Sequence, residues 1–314
     1  MTITATKKTE QSTSYATKEK QKQRKPTEAH AHAGLVLEGG AMRGMFTCGV
    51  MDVLYDGGVR FGGIVGVSAG AAFGCNYKSH QPGRALRYNQ RFARNRRYCS
   101  LWSLISSGNL FHAEFAYHTV PIYYDPFDKA TFENDPTEYH LVCTDIDTGK
   151  AVYKQLSQFN QDTLEWIRAS CSIPLLSTPV NLEGHRLLDG GITDSIPLQY
   201  LQQKGFTHNV VILTQPAGYV KQPLPIQPII QIMMHRRPQL CQAMKARPAM
   251  YNAQLSYVHT QEKEGKALVI RPDEALPIRH LCHNPAQMQN VYDIGRRKGK
   301  EILENVKTFL KQMK

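Results

Sequence analysis

Apolar and polar positions change their rhythm sharply along this chain. Residues 1–32 are Lys, Thr, Gln, Ser and Glu with almost no large apolar side chain. Such a stretch cannot bury enough surface to offset the entropy of ordering, so it reads as a disordered basic tail. Order is expected from Gly34. Leu35-Val36-Leu37 is a short unbroken apolar run, the pattern of a strand covered on both faces. After a glycine-rich stretch, Met45, Phe46, Gly49, Val50, Val53 and Leu54 recur at helical spacing, which predicts a helix from about Gly44 to Tyr55. Asp56-Gly57-Gly58 ends it. Ile64-Val65-Gly66-Val67 is a second strand, and Ala69-Gly70-Ala71-Ala72 opens a second helix small enough to lie close to a sheet. This β-α-β-α order predicts parallel strands joined by right-handed crossovers.

Further on, Arg84, Arg87, Arg91 and Arg94 recur at spacings of three and four and line one helix face, with Leu86, Tyr88, Phe92 and Ala93 on the other. Residues 101–124 are apolar but irregular (Trp102, Leu104, Ile105, Phe111, Phe115, Tyr123, Tyr124), the pattern of ordinary core or of a lid or pocket wall. Residues 140–146 and 151–153 flank Asp147-Thr148-Gly149-Lys150, a hairpin signal that makes part of the sheet antiparallel. Residues 162–170 read as a helix capped by Asp162, and Asp194 reads as the cap of a helix over 197–205. Residues 186–188, 210–213 and 267–270 read as strands, and 226–262 and 286–312 as mainly helical. No internal repeat is present. The expected organisation is a tail (1–32), a catalytic domain (33–215) and a mainly helical C-terminal extension packed on the same domain (216–314).

Charge adds a constraint on partners. The net charge of +12 favours anionic ones, whether phospholipid surface, nucleic acid or anionic substrate. The arginine face and the basic C-terminal helix, where Ile302, Leu303, Val306, Phe309 and Leu310 share a side, suit anionic headgroups, although an apolar helix face also serves as core. No aromatic-plus-basic recognition pattern supports nucleic acid. No run of about 18 apolar residues is present, and no export signal is read at the N-terminus. Seven scattered cysteines without a CxxC pair fit reduced thiols, not a disulfide frame or zinc site. A cytoplasmic protein, in peripheral contact with the inner membrane face, is the expectation.

The candidate chemistry lies at the strand–helix bends. Gly66-Val67-Ser68-Ala69-Gly70 places a serine on a sharp strand-to-helix turn, the context a GxSxG nucleophile requires. The glycines leave room for substrate and permit a strained bend. Glu38-Gly39-Gly40-Ala41-Met42-Arg43-Gly44 places backbone N–H groups at a helix start. A dinucleotide loop would want an acidic residue at the end of the next strand, where Val67-Ser68 stands instead. The better reading is an oxyanion hole from Gly39, Gly40 and Ala41, near the positive end of the following helix. Arg43 either steadies the loop or binds lipid phosphate. Serine needs a base. None of His208, His235, His259, His280 and His283 sits in a convincing strand-end loop. Asp189-Gly190-Gly191 does, with glycines that allow close approach.

Together these motifs, with Ala169-Ser170-Cys171-Ser172-Ile173-Pro174 between them, resemble the patatin-like phospholipases over about residues 33–215. The remainder is similar to a bacterial subgroup of that family. The resemblance implies an α/β three-layer sandwich with a mostly parallel central sheet flanked by helices. It implies a Ser–Asp dyad with Ser68 as nucleophile and Asp189 as base, an oxyanion hole from the glycine loop, supporting motif positions Arg43, Gly44, Gly66, Gly70, Gly190 and Gly191, and no cofactor or metal. One departure stands out: Ala41 occupies a place where the family commonly has a third glycine, so a positive φ there would strain the loop. The expected activity is serine hydrolysis of carboxylic esters in phospholipids or related acyl lipids. The alternatives are a general carboxylesterase or thioesterase and, in another class, a basic anion-binding regulatory protein.

Overall fold

The computed structural model describes residues 31–98, 103–105, 108–223 and 236–312. Nearly all of the tail, Cys99, Trp102, His235 and the stretch 226–235 therefore lie outside the described residues. The element order is β1 (Ala33–Leu37), a 3-10 turn (Ala41–Arg43), α1 (Gly44–Asp56), β2 (Gly63–Val67), α2 (Ala69–Lys78), α3 (Arg84–Phe92), a π-helix (Glu114–Tyr124) and α4 (Lys129–Asn134). Then come β3 (Glu138–Asp145), β4 (Lys150–Gln155), α5 (Gln161–Ser170), β5 (Val180–Leu182), β6 (His185–Asp189), a 3-10 turn (Gly190–Ile192) and α6 (Leu198–Gln203). The chain ends with β7 (His208–Ile212), α7 (Pro238–Lys263), β8 (Ala267–Ile270) and α8 (Pro285–Lys311).

The strands form one eight-stranded sheet, with parallel pairs β3-β2-β1-β7-β8 running to its β8 edge. Every residue of β1 and β2 is buried, as their unbroken apolar runs require. Side-chain alternation divides the core in two. Leu35, Leu37 and Ile64 face one layer with Phe46, Met45 and Val50 of α1 and Val306 and Leu310 of α8. Val36, Val65, Val67 and Val211 face the other, with Leu198 and Leu201 of α6 and Tyr251 and Val258 of α7. The result is helices, sheet, helices.

The antiparallel part sets up the site. Residues 140–145 of β3 pair with β4, which takes one edge of that strand. On the other edge β2 pairs with residues 138–142, and β6 pairs antiparallel with residues 143–145. So β2 and β6 run toward each other end to end along β3. Val67 lies opposite Val142, and Asp189 opposite the next residue, Cys143.

Several expectations need correction. Asn160, not Asp162, caps α5, accepting from the Thr163 N–H at 3.0 Å; Asp162 lies in the first turn. Asp194 caps nothing. It is buried, accepts from Tyr153 Oη (2.7 Å) and Gln254 Nε2 (2.7 Å), and α6 begins without a side-chain cap. The arginine face of α3 is tied to the end of the π-helix, with Arg84 buried and Arg87, Arg91 and Arg94 exposed. Arg84 donates to the Asp125 carbonyl and Asn76 Oδ1; Arg87 holds the Asp125 carboxylate with two bonds of 2.9 Å; Arg91 donates to the Tyr124 carbonyl. These contacts fasten the end of the π-helix. The apolar side of α8 packs on the core, as Val306 and Leu310 show.

Candidate active site

Ser68 forms the bend between β2 and α2 with φ +54° and ψ −123°. That region is almost closed to side chains and costs of order 1–3 kcal/mol. The strain falls on the serine itself. Gly66 and Gly70 are glycine for space, not for φ: a β-carbon at Gly66 would lie 2.5 Å from the Gly70 carbonyl oxygen, and one at Gly70 would lie 2.4 Å from that of Leu37. Their absence of a side chain lets α2 sit against the sheet end, which forces the chain round at Ser68. Ser170 helps hold the bend, accepting from the Ser68 N–H at 3.0 Å while donating to the Val142 carbonyl at 2.7 Å.

Asp189 approaches from the other side of the same point on β3. Its N–H donates to the Ser172 carbonyl (2.8 Å), and Thr144 Oγ1 donates to its carbonyl (2.8 Å). Its carboxylate accepts from the Gly191 N–H at 2.8 Å and feels the Ser68 side chain as a neighbour that favours its charged form. Gly190 has no room for a side chain, because a β-carbon there would meet the Val142 carbonyl at 2.2 Å. Burial raises the Asp189 pKa; the Ser68 side chain, the Gly191 N–H and the charge of Arg247 oppose the rise. The result is a carboxylate more basic than an exposed one, beside a strained serine.

The glycine loop lies beside this pair. A β-carbon at Gly39 would stand 3.1 Å from Ser68 Cβ. The Met42 N–H donates to the His280 carbonyl and that of Arg43 to the Gly40 carbonyl, whereas the N–H groups of Gly39, Gly40 and Ala41 have no acceptor among the described residues. Ala41 has φ +49°, the strained case. A β-carbon at Gly44 would press within 2.8 Å of the Phe73 ring, so this glycine lets the α1 start meet α2. Arg43 steadies the loop: its Nε donates to Thr214 Oγ1 (3.5 Å) and its Nη1 to His280 Nε2 (2.7 Å). Loss of solvation, then the charges of Arg43, Lys221 and Arg247, push the His280 pKa down to about 4, so the ring accepts from Arg43 as neutral imidazole. The other described candidate histidines lie elsewhere, against Thr207 (His208), Glu262 (His259) and the Ala93 carbonyl (His283).

Ser68 lies in the wall of a cavity of about 900 Å³, counting its open mouth. The wall is largely apolar: Phe73 from α2, Phe111, Tyr117 and Val120 from the π-helical region, and Leu164 and Ile167 from α5. Residues 101–124 thus supply pocket wall as well as a small aromatic cluster around Phe92 and Tyr98. No group of three or more His, Cys, Asp or Glu side chains that could hold a metal ion occurs among the described residues.

The patatin-like phospholipase family model matches residues 35–201, which hold the loop, the serine bend and the Asp189 turn. The chain belongs to the patatin-like phospholipase family. Residues 237–311 match a second family, described as a domain of unknown function (DUF6363). Among relatives of this patatin-like protein, YjjU of Escherichia coli is 30% identical over 223 residues, 64% of this chain and 60% of that protein. Lysophospholipase nte1 of Aspergillus niger is 27% identical over 186 residues, 55% of this chain but 11% of that one. An NTE family protein of Mycobacterium tuberculosis is 29% identical over 164 residues, 52% of this chain and 44% of its own. The chain therefore spans less than two thirds of these relatives. The solved structure of VipD from Legionella pneumophila aligns over 88% of this chain and 67% of its own, with a TM-score of 0.44 and 12% identity.

Some contributors escaped the sequence reading. Ser170 was visible only as part of the 169–174 segment. Arg247, Tyr251 and Thr214 carry no motif, and only the fold brings them to the loop and turn.

Proposed function

We propose that this protein is a serine lipid acyl hydrolase that cleaves carboxylic esters of phospholipids or related acyl lipids through an acyl-Ser68 intermediate. The observation that carries the reading is Ser68 in the wall of an apolar cavity, brought by adjacent rungs of β3 beside the buried Asp189. Asp189 takes the hydroxyl proton as Ser68 Oγ attacks the ester carbonyl carbon. The carbonyl oxygen becomes an oxyanion facing the N–H groups of Gly39, Gly40 and Ala41. Asp189 returns the proton to the leaving alcohol, and the C–O bond breaks. In the second half Asp189 takes a proton from water, the hydroxide attacks the acyl-serine, and the fatty acid leaves as Ser68 regains its proton. The raised Asp189 pKa strengthens this otherwise weak base.

The apolar wall favours a fatty acyl chain over a small acyl group, and the likeness to fungal lysophospholipases favours a lipid. Peripheral membrane contact fits the end of the π-helix, where Tyr123 (75% exposed) and Ile122 (49%) follow the cavity-lining Tyr117, Val120 and Pro121. There the exposed Arg87 and Arg91 bond Asp125 and Tyr124. A reducing, cytoplasmic setting fits the free thiols of Cys48, Cys75, Cys143, Cys171 and Cys282.

A fluorophosphonate probe tests the dyad. One adduct on Ser68 is expected, absent in Ser68→Ala, with Asp189→Asn folded but at least about 10³-fold slower on an acyl ester. Labelling elsewhere, or near-full activity in Asp189→Asn, refutes it. The sign of the Asp189 shift adds a stability readout. A carboxyl whose pKa is raised by folding loses stability as pH rises from the ordinary aspartate range through the raised value. Asp189→Asn is therefore more heat-stable than the parent at neutral pH, and the gap closes toward pH 4.

A further inference from the structure

Helix α7 lies outside the patatin match and inside the stretch matched to the domain of unknown function. Arg247, Tyr251 and Gln254 recur along it at spacings of four and three and so share one face. Each reaches the candidate site. Tyr251 Oη donates to Glu38 Oε1 at 2.6 Å; Glu38 immediately precedes the glycine loop, and its other oxygen accepts from the Thr214 N–H at 2.5 Å. Gln254 Oε1 accepts from the Ser195 and Ile196 N–H groups (3.1 and 3.0 Å), and its Nε2 donates to Asp194. These two contacts anchor the helix across the ends of β1 and the Asp189 turn.

Arg247 does something different. Its Nε donates to the Gly191 carbonyl at 2.6 Å, where Ser195 Oγ also donates at 2.8 Å. The N–H of the same Gly191 donates to Asp189 Oδ1 at 2.8 Å. A β-carbon at Gly191 would stand 3.1 Å from Asp189 Oδ1 and 3.5 Å from Arg247 Nη2, so carboxylate and guanidinium flank one point. We propose that α7 completes the active site, with Arg247 as a positioning residue that aims the Asp189 carboxylate through Gly191 and supports its negative charge. The proposal rests on the Ser68–Asp189 reading and assigns part of the unknown domain a role in it.

Electrostatics agrees with the geometry. Among the described residues Arg247 is the one charged group acting on Asp189, and it lowers a pKa that burial raises. The other titratable groups against the carboxylate are Cys143 from β3 and Cys171 after α5, both thiols pushed up by burial and hence neutral. Burial pushes the Asp189 carboxyl up, and the Arg247 guanidinium opposes that push.

The test is the pH profile of kcat/KM on an acyl ester, together with the rate of fluorophosphonate labelling of Ser68, in R247M, R247Q and R247K. Removing the charge is expected to move the acid limb up by about one pH unit, so activity below the limb falls about tenfold and recovers at higher pH. R247Q keeps a donor for the Gly191 carbonyl, so its limb isolates the charge and does not depend on R247M folding. R247K keeps the limb in place. Unmoved limbs in R247Q and R247M overturn the proposal, whether activity falls uniformly or not at all, and so does a limb in R247K that moves with that of R247Q. The two readings fail separately. A parent protein that leaves Ser68 unlabelled sinks the dyad, whereas a labelled parent with an unmoved R247Q limb sinks only the role of Arg247.

Discussion

At the β1–α1 junction the residue with positive φ is Ala41; at the β2–α2 junction it is Ser68. Both bends join a fully buried strand to a helix that faces the same core layer, and both place a side chain where glycine is preferred. They differ in what enforces the conformation. Ser68 is forced round by close contacts on either side, at Gly66 and Gly70, and by Ser170 on its N–H. Ala41 sits at the cavity rim, and the bonds that hold its loop come from its neighbours Met42 and Arg43. Strain at the serine aims a reacting atom; strain at the alanine adds nothing that glycine would not supply.

Three substitutions sharpen that contrast. Gly70→Ala has the largest effect, because the new β-carbon meets the backbone oxygen of Leu37 and α2 must shift. A loss of about 2–4 kcal/mol in urea unfolding, with esterase activity gone, is expected; a stable, active variant would show that the bend is not enforced from Gly70. At Ser68 the informative pair is Gly against Ala. Both lack a nucleophile, but only Ser68→Gly relaxes the backbone, so it should unfold about 1 kcal/mol later than Ser68→Ala. Equal stabilities would place the strain elsewhere. The smallest effect belongs to Ala41→Gly: a gain of about 0.5 kcal/mol or less by thermal unfolding, since relief of φ is partly offset by the entropy of glycine, with kcat within about twofold of the parent. A large drop in kcat would mean that the Ala41 methyl group shapes the cavity.

Much of this was legible in the sequence because it rests on local rules. An apolar run, a glycine pair and a small-residue helix start specify a strand–bend–helix wherever they occur, so both junctions and the parallel order of β1 and β2 could be read directly. The arginine face of α3 was legible as one side of a helix, but periodicity does not show what lies opposite. Here the opposite surface is the end of the π-helix, where Asp125 and the Tyr124 carbonyl receive them. Asp162 and Asp194 misled for a related reason. Each lies near a helix start, but Asn160 captured the capping bond at α5, and Asp194 was drawn inward by Tyr153 and Gln254. Arg247 and Tyr251 reach the site only through the docking of α7, and no local pattern encodes that.

The end-to-end meeting of β2 and β6 along β3 has a consequence for how this protein tolerates change. The separation of Ser68 and Asp189 is set by two neighbouring rungs of one ladder, Val142 and Cys143. The chain between the two strands is, in this respect, an excursion that leaves the ladder and returns to it. Its outlying turns can lengthen, shorten or acquire new pocket walls while the ruler that measures the reacting pair stays fixed, so substrate range can drift in this fold without disturbing the chemistry.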